Sequence, residues 1–322
     1  MEGEPAHFLH ILRAMGCVGS GYGAKVRKQK SAVSRANHPS FPFPIAVKHV
    51  HHGTDSPALQ FEGLKRVAEA LANDKQFRVP RPLALDESTG VLLMEWIELP
   101  SLEQRLQHWR TTTRCALQHV ANAGQWLRRL HDSRNCIDGF VESERLMENL
   151  FEALRGATEL QHHRTLCTFL STLRRLTPAV SKVPVPTGLQ HGDYKPANVL
   201  TGPKSTVGID CHALHEGLVI SDLSHFLNHL HFTVLAPQGM WFLHLHERLD
   251  LAFLSGYADA GRTIERAVPR LPLAWVRLHA VARFWIADAK SGLSSLRFWY
   301  RSWCYRRLGK ILDRELAGSL IH

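Results

Sequence analysis

The apolar pattern of this chain changes period near residue 97, and that change limits it to a fold with a sheet at one end and helices at the other. Ahead of the change, Ile45-Ala46-Val47-Lys48-His49-Val50 and Val91-Leu92-Leu93-Met94-Glu95-Trp96 are short runs of β-formers, bounded by Pro44, Gly53 and Gly90. Between them Phe61, Leu64, Val67, Ala68 and Leu71 recur at helical spacing, and Val79-Pro80-Arg81-Pro82 cannot continue that helix. Beyond residue 97 the pattern is mostly helical, most clearly where Leu117, Val120, Ala121, Gly124, Leu127 and Leu130 return at three- and four-residue steps. One stretch interrupts the helices: from Pro184 to Ile220, short β-rich runs are broken by Pro184, Pro186, Gly188, Gly192, Pro196, Gly202, Pro203, Gly208 and Gly217. Loops of this kind carry chemistry more often than helices do.

Composition removes several classes. With 322 residues, 44% of them hydrophobic and 21% charged, the chain has material for a large core and is not a disordered one. Cys17, Cys115, Cys136, Cys167, Cys211 and Cys304 form no C-x-x-C pair, which argues against a disulfide framework or a cysteine zinc site and fits a reducing, cytoplasmic setting. Glu2, Glu4 and Arg13 stand where a secretory signal would be positive and then apolar. Between Asp222 and Glu247 no Asp, Glu, Lys or Arg occurs, yet His225, Asn228, His229, His231, Pro237, Gln238, His244 and His246 lie inside. Buried helices account for such a stretch better than a membrane span does.

A formal net charge of +10 biases the molecule toward anions: nucleotide phosphates, nucleic acid or anionic lipid. Arg297, Arg301, Arg306, Arg307, Lys310 and Arg314 interleave with Phe298, Trp299, Tyr300, Trp303 and Tyr305 near the C-terminus. Helical spacing sorts the two sets, so the first reading is a terminal helix packing its aromatics on the body. The second is an anionic or membrane-surface contact through residues 297–314, and nucleic-acid binding ranks last. Of the 21 histidines, His225-x-x-x-His229 and His212-x-x-His215 have spacings that helices use for metals, but no third ligand follows.

The chemistry concentrates in His191-Gly192-Asp193-Tyr194-Lys195-Pro196-Ala197-Asn198-Val199-Leu200, followed by Val207-Gly208-Ile209-Asp210. Two carboxylates and an amide converge in this stretch. The segment resembles the catalytic loop H-G-D-x-x-x-x-N of the aminoglycoside phosphotransferase and choline kinase family. Asp210, Gly217 and Asp222-Leu223-Ser224 continue the likeness, as do Leu127-Arg128-Arg129-Leu130-His131 and Phe253-Leu254-Ser255-Gly256-Tyr257.

That resemblance implies an α+β, protein-kinase-like fold of two lobes, with ATP held between them. Residues 1–97 would be a nucleotide-binding lobe of antiparallel sheet plus helix, and residues 98–322 a larger helical lobe for catalysis and the acceptor. It also implies Mg²⁺-dependent transfer of the γ-phosphoryl group of ATP to a hydroxyl of a small molecule such as an aminoglycoside, sugar or amino alcohol. Asp193 would be the base and Lys195 would neutralise charge on the transferred group. Asn198 and Asp210 would hold the metal. Lys48 would bind the α- and β-phosphates, with Glu62 holding Lys48 in place and Glu69 a competitor for that role. Gly19 and Gly21 belong to an irregular glycine-rich hairpin, and the backbone from Met94 to Ile97, with Glu95 and Ile97, is the expected adenine hinge. His191 would buttress the loop and Asp222 would hold its backbone. Cys211 departs from the aromatic that the family usually places after the metal-binding aspartate. Because aminoglycosides are polycations, the basic C-terminal half speaks weakly against them as the acceptor. The other reading is a non-catalytic module of the same fold that binds nucleotide or an anion.

Overall fold

The structure is a computed structural model in which residues 26–28, 31–37, 41–50, 56–108, 110–133, 137–211, 215–235, 245–258, 268–291 and 293–318 are described. In chain order the first elements are β1 (Val26–Lys28), β2 (Ser31–Ala36), β3 (Ile45–Val50), α1 (Pro57–Ala70), β4 (Phe77–Arg78), β5 (Pro82–Asp86) and β6 (Val91–Glu95). There follow α2 (Leu102–Gln107), α3 (Thr113–His131), β7 (Asp138–Gly139), α4 (Ser143–Arg155), α5 (Arg164–Val180), β8 (Val185–Leu189), β9 (Val199–Thr201), β10 (Thr206–Gly208) and β11 (Glu216–Leu218). The chain ends with α6 (Val219–Leu235), α7 (His246–Ala258), α8 (Arg270–Lys290) and α9 (Ser295–Gly318). It divides into two compact units, one of residues 1–100 and 200–214, the other of residues 101–199 and 215–322.

The first unit is built on an antiparallel sheet in the order β1-β2-β3-β6-β5. Strand alternation sends Ile45 and Val47 to one face, where they pack with Ala36, Val91 and Leu93. On the other face Val50 and Leu92 pack against Phe61 of α1. Lys48 has the parity of Val50 and pairs across the ladder with Leu92, so its side chain leaves from the face that α1 covers. Helix α1 starts on Pro57, whose fixed φ suits a first turn, and buries Gln60, Phe61, Gly63, Leu64 and Val67. Completely buried side chains such as Ile45, Val47 and Val91 contribute roughly 1.5–3 kcal/mol each relative to exposure. A small sheet, β4-β10-β9, ties a distant part of the chain to this unit: β10 runs parallel to β4, and the Thr206 N–H donates to the Gln76 carbonyl at 2.9 Å.

In the second unit the closest helix pair is α3 with α7. A Cβ on Gly124 would stand 2.1 Å from the Phe253 carbonyl oxygen, and one on Gly256 would stand 2.1 Å from that of Ala121. Only hydrogen fits at either crossing point, so the two backbones touch. Helix α8 buries Trp275, Leu278, Val281, Ala282, Trp285 and Ile286, the all-round burial of a central helix. Helix α9 buries Cys304, Tyr305, Leu308, Leu312 and Leu316, while Leu296 and Trp299 near its start are exposed. Among the described residues no helix is long and apolar enough to cross a membrane.

Candidate active site

The loop that follows β8 is held from below and behind. Tyr194 is fully buried in an aromatic column, stacked on Trp126 of α3 at 5.3 Å and on Phe226 of α6 at 5.2 Å, and Phe226 stacks on Phe253 of α7 at 4.1 Å. Its hydroxyl donates to the Ala123 carbonyl at 2.7 Å. Asp222, in the first turn of α6, accepts from the backbone N–H groups of His191 at 2.6 Å and Gly192 at 3.0 Å. Gly192 sits at φ 85°, the left-handed region a glycine enters without strain. His131 closes the frame: one ring nitrogen lies 2.8 Å from the Tyr257 hydroxyl and the other 3.2 Å from Asp222. Burial alone would raise the Asp222 pKa, but the His131 hydrogen bond and the loop donors outweigh it and keep the carboxyl below its usual range. Asp222 thus has the loop-holding geometry that the sequence resemblance implies. Fully buried His191 lies against Trp126 and Tyr194, and its Nδ1 is 3.3 Å from the Asp193 N–H.

On this frame the loop brings three of the expected residues together. Lys195 Nζ lies 2.8 Å and 2.6 Å from the two carboxylate oxygens of Asp193. The Asn198 side-chain amide donates to the Asp193 carbonyl and to its Oδ2, both at 2.9 Å. Asn198 is fully buried, and its Oδ1 has no hydrogen-bond partner among the described residues. An orphaned, inward-facing amide oxygen beside a carboxylate is what a hard cation ligand looks like before the cation arrives, so this position fits Mg²⁺. A fourth group joins them from α6: His225 Nε2 lies 3.2 Å from Asp193 Oδ1, off the line a hydrogen bond needs. Burial would raise the Asp193 pKa, and His225 and Lys195 more than reverse that, leaving the carboxyl far below the ordinary carboxylate range.

The first unit supplies a second group. Lys48 Nζ, on a nearly buried side chain, pairs with Asp210 Oδ1 at 3.1 Å. Asp210 has φ 58°, the one positive φ at a non-glycine among the described residues. Strained backbone of this kind clusters at functional sites. Cys211, next in the chain, is buried and leaves the Asp210 carboxylate in place.

Other expected residues fall differently. Glu62 is exposed on α1 and is not brought to Lys48, whose counter-ion is Asp210; Glu69 is exposed as well. The buried polar residue on α1 is Gln60, with Oε1 unpartnered among the described residues. The Glu95 side chain accepts from Arg78 Nη1 at 2.7 Å, and its N–H bonds the Arg81 carbonyl. Ile97 is half-buried just past β6, outside the ladder. Gly19 and Gly21 lie outside the described residues. The group that the sequence reading passed over is His225: it was visible only as half of a helical His pair, whereas its signal is the i, i+3, i+7 alignment of Asp222, His225 and His229 on the α6 face that meets the loop. Among the described residues no cluster of three His, Cys, Asp or Glu side chains could hold a metal ion, and His212 lies outside the described residues.

The model of the phosphotransferase enzyme family matches residues 44–270. Among solved structures the chain is similar to a choline/ethanolamine kinase family protein from Mesorhizobium loti, at 16% identity and TM-score 0.62, covering 97% of this chain and 96% of that one. A glucosamine kinase solved with glucosamine, ADP and inorganic phosphate gives 15% identity and TM-score 0.62 over 99% of this chain and 87% of that one. An ethanolamine kinase from Plasmodium vivax gives 12% identity and TM-score 0.61 over 98% and 91%. No curated protein matches the chain in sequence. With the family model spanning most of the chain, the α+β kinase-like fold that accompanies it, and the loop of Asp193 and Asn198 within the matched span, the chain belongs to the phosphotransferase enzyme family.

Proposed function

We propose that the protein transfers the γ-phosphoryl group of ATP to a hydroxyl of a small-molecule acceptor such as a sugar, amino alcohol or aminoglycoside, in the cytoplasm and with Mg²⁺. The observation that carries this reading is the arrangement on Asp193: Lys195 and Asn198 hold its carboxylate, while Asn198 Oδ1 stays buried without a partner. Residues 1–97 serve the nucleotide and residues 98–322 catalysis and the acceptor, except that Asp210 belongs to the segment 200–214 that counts with the first unit. The ADP in the similar glucosamine kinase supports a nucleotide here.

In this reading Lys48 binds phosphate oxygens, and Asp210 keeps its ammonium in place. Glu95 and Ile97 present hinge backbone to the adenine, and Gly19 and Gly21 cover the phosphates. Asn198 and Asp210 hold Mg²⁺, which neutralises charge on the phosphates when bound. Glu62, exposed, retains no described part in the site. The acceptor O–H donates to Asp193, the acceptor oxygen forms its bond to the γ-phosphorus, the bond to the β-phosphate bridging oxygen breaks, and ADP leaves. A carboxyl as strongly ionised as Asp193 is a weak proton acceptor, so its task is to orient the hydroxyl and take the proton late, which a loose phosphoryl transition state permits. Lys195, whose ammonium lies on the Asp193 carboxylate, spreads the charge on the transferred group in this reading.

The test is ADP release by purified protein with Mg-ATP over a panel of sugars, amino alcohols and aminoglycosides, with Asp193→Asn alongside. Acceptor-dependent turnover that falls by about 10²-fold or more in Asp193→Asn is expected. Full turnover in that variant would overturn the role given to Asp193, whereas Mg-ATP binding with transfer to nothing would move the protein to the binding-module reading. Contact with a membrane through residues 297–314 gains no support from the described residues, and vesicle co-sedimentation with and without that segment decides it.

A further inference from the structure

Helix α6 shows the loop more than Asp222. One turn on, His225 stands against Asp193 Oδ1, and one turn further His229 packs against His225 with ring centroids 4.5 Å apart and the planes tilted by 31°. Phe284 of α8 meets both imidazoles edge-on, at 6.4 Å and 5.8 Å, and Phe232 meets His229 at 5.7 Å. His225, His229, Phe232 and Phe284 are all half-buried, so this wall of flat rings is partly open beside the one carboxylate that would receive a substrate hydroxyl.

Its electrostatics are one-sided. Lys195 already compensates Asp193. Asp288, near the far end of α8, is taken by Arg301 and by the Tyr305 hydroxyl, which donates to it at 2.6 Å. The charges that act most strongly on His229 are His225, Lys195, Asp193 and Arg301, so Asp193 is the sole acidic member of that set. Burial first, then His225 and Lys195, push the His229 pKa down to about 3, and its imidazole is therefore neutral at ordinary pH. An ammonium group entering beside His229 would lose its water and find as acidic partner Asp193, which Lys195 already compensates, whereas a hydroxyl would meet ring nitrogens.

We infer that His225 and His229 form the acceptor-selecting wall of the site, and that they fit it to a polyol carrying no positive charge rather than to an amine. The inference rests on the assignment of Asp193 as the group that receives the acceptor hydroxyl. It sets this chain apart from the kinases of ethanolamine and glucosamine whose folds it shares.

Matched pairs of acceptors that differ only in an amine test it: glucose against glucosamine, ethylene glycol against ethanolamine, with kanamycin as a polycation. The wild type should show kcat/KM at least about 10-fold higher for the neutral member of each pair, with the difference in KM. His229→Asp should move that ratio toward the amine by about 10-fold or more, through KM, while His229→Asn should leave it within about 2-fold of wild type. Thermal unfolding of both variants shows that each is folded. A wild type that prefers amines, or a ratio unmoved in folded His229→Asp, overturns the inference while leaving phosphotransfer standing. Transfer to no acceptor of either kind overturns both.

Discussion

His225 and Lys195 hold the Asp193 carboxyl ionised, while other groups fix where it stands. Asn198 fixes the loop through the Asp193 carbonyl and fixes the carboxylate through Oδ2. Asn198→Ala removes both bonds and the orphaned Oδ1, so turnover should fall by about 10²-fold and the concentration of Mg²⁺ for half-maximal rate should rise; a magnesium titration of the variant reads both. Asp222→Asn would keep the shape but offer one acceptor oxygen and an unwanted donor to two buried N–H groups. A loss of about 2–4 kcal/mol in a denaturant titration is expected, together with lowered activity. Much at this scale was legible in the sequence, because fixed spacing in one loop is local information: Asp193, Lys195 and Asn198 meet where their spacing put them. What was not legible required knowing which way a helix turns. Glu62 and Gln60 are two residues apart on α1, and the buried one is the amide. His225 declares its role only once α6 is laid against the loop.

Helices α3 and α7 could be read in part from the same sequence, since periodic Leu127 and Leu130 and the segment Phe253 to Tyr257 mark them as helices. Their contact could not, because nothing in either segment announces that Gly124 faces Phe253 and that Gly256 faces Ala121. The structure makes these glycines the reason the helices can approach so closely. Gly256→Leu forces a side chain into the Ala121 carbonyl and should cost about 3 kcal/mol or more, with a fall in Tm and a shift of the aromatic column beneath Tyr194. Near-ultraviolet circular dichroism of Trp126 and its neighbours would register the shift, and an unchanged spectrum and Tm would contradict the packing. The β-elements divide the same way: β3 and β6 were clear as apolar runs, whereas β4 and β10 are too short to show a period and exist because they pair with each other.

For the molecule as a whole, the buried titratable groups predict how stability varies with pH. His279 is buried against Trp275, and burial, opposed by the Leu146 carbonyl contact, lowers its pKa to about 4; His229 is lowered to about 3. In the unfolded chain these histidines bind protons near pH 6.5, and in the folded chain they do not, so stability falls as pH drops from about 6.5 toward 4. Asp250 behaves oppositely in charge but alike in direction. Burial would raise its pKa, yet His231 and Arg277 hold it at about 2, so its contribution is complete above about pH 4 and is lost as pH falls toward 2. Tm measured from pH 7 to 2 should therefore decline in two stages. His279→Gln should flatten the upper stage and Asp250→Asn the lower, and a Tm flat from pH 6.5 to 4 would contradict the buried-histidine assignment.

The ion pair of Lys48 and Asp210 joins residues 162 positions apart. On a ribosome adding about 5–20 residues per second, the lysine emerges roughly 10–30 s before its aspartate. Throughout that interval the β3 strand carries a cation aimed at the face that α1 covers, and β4 lacks the parallel partner that β10 later provides. The sheet born first cannot close around its charge until α2 to α5 have also been made, so a polypeptide stopped before residue 210 should stay open to chaperones and proteases however native its first hundred residues look.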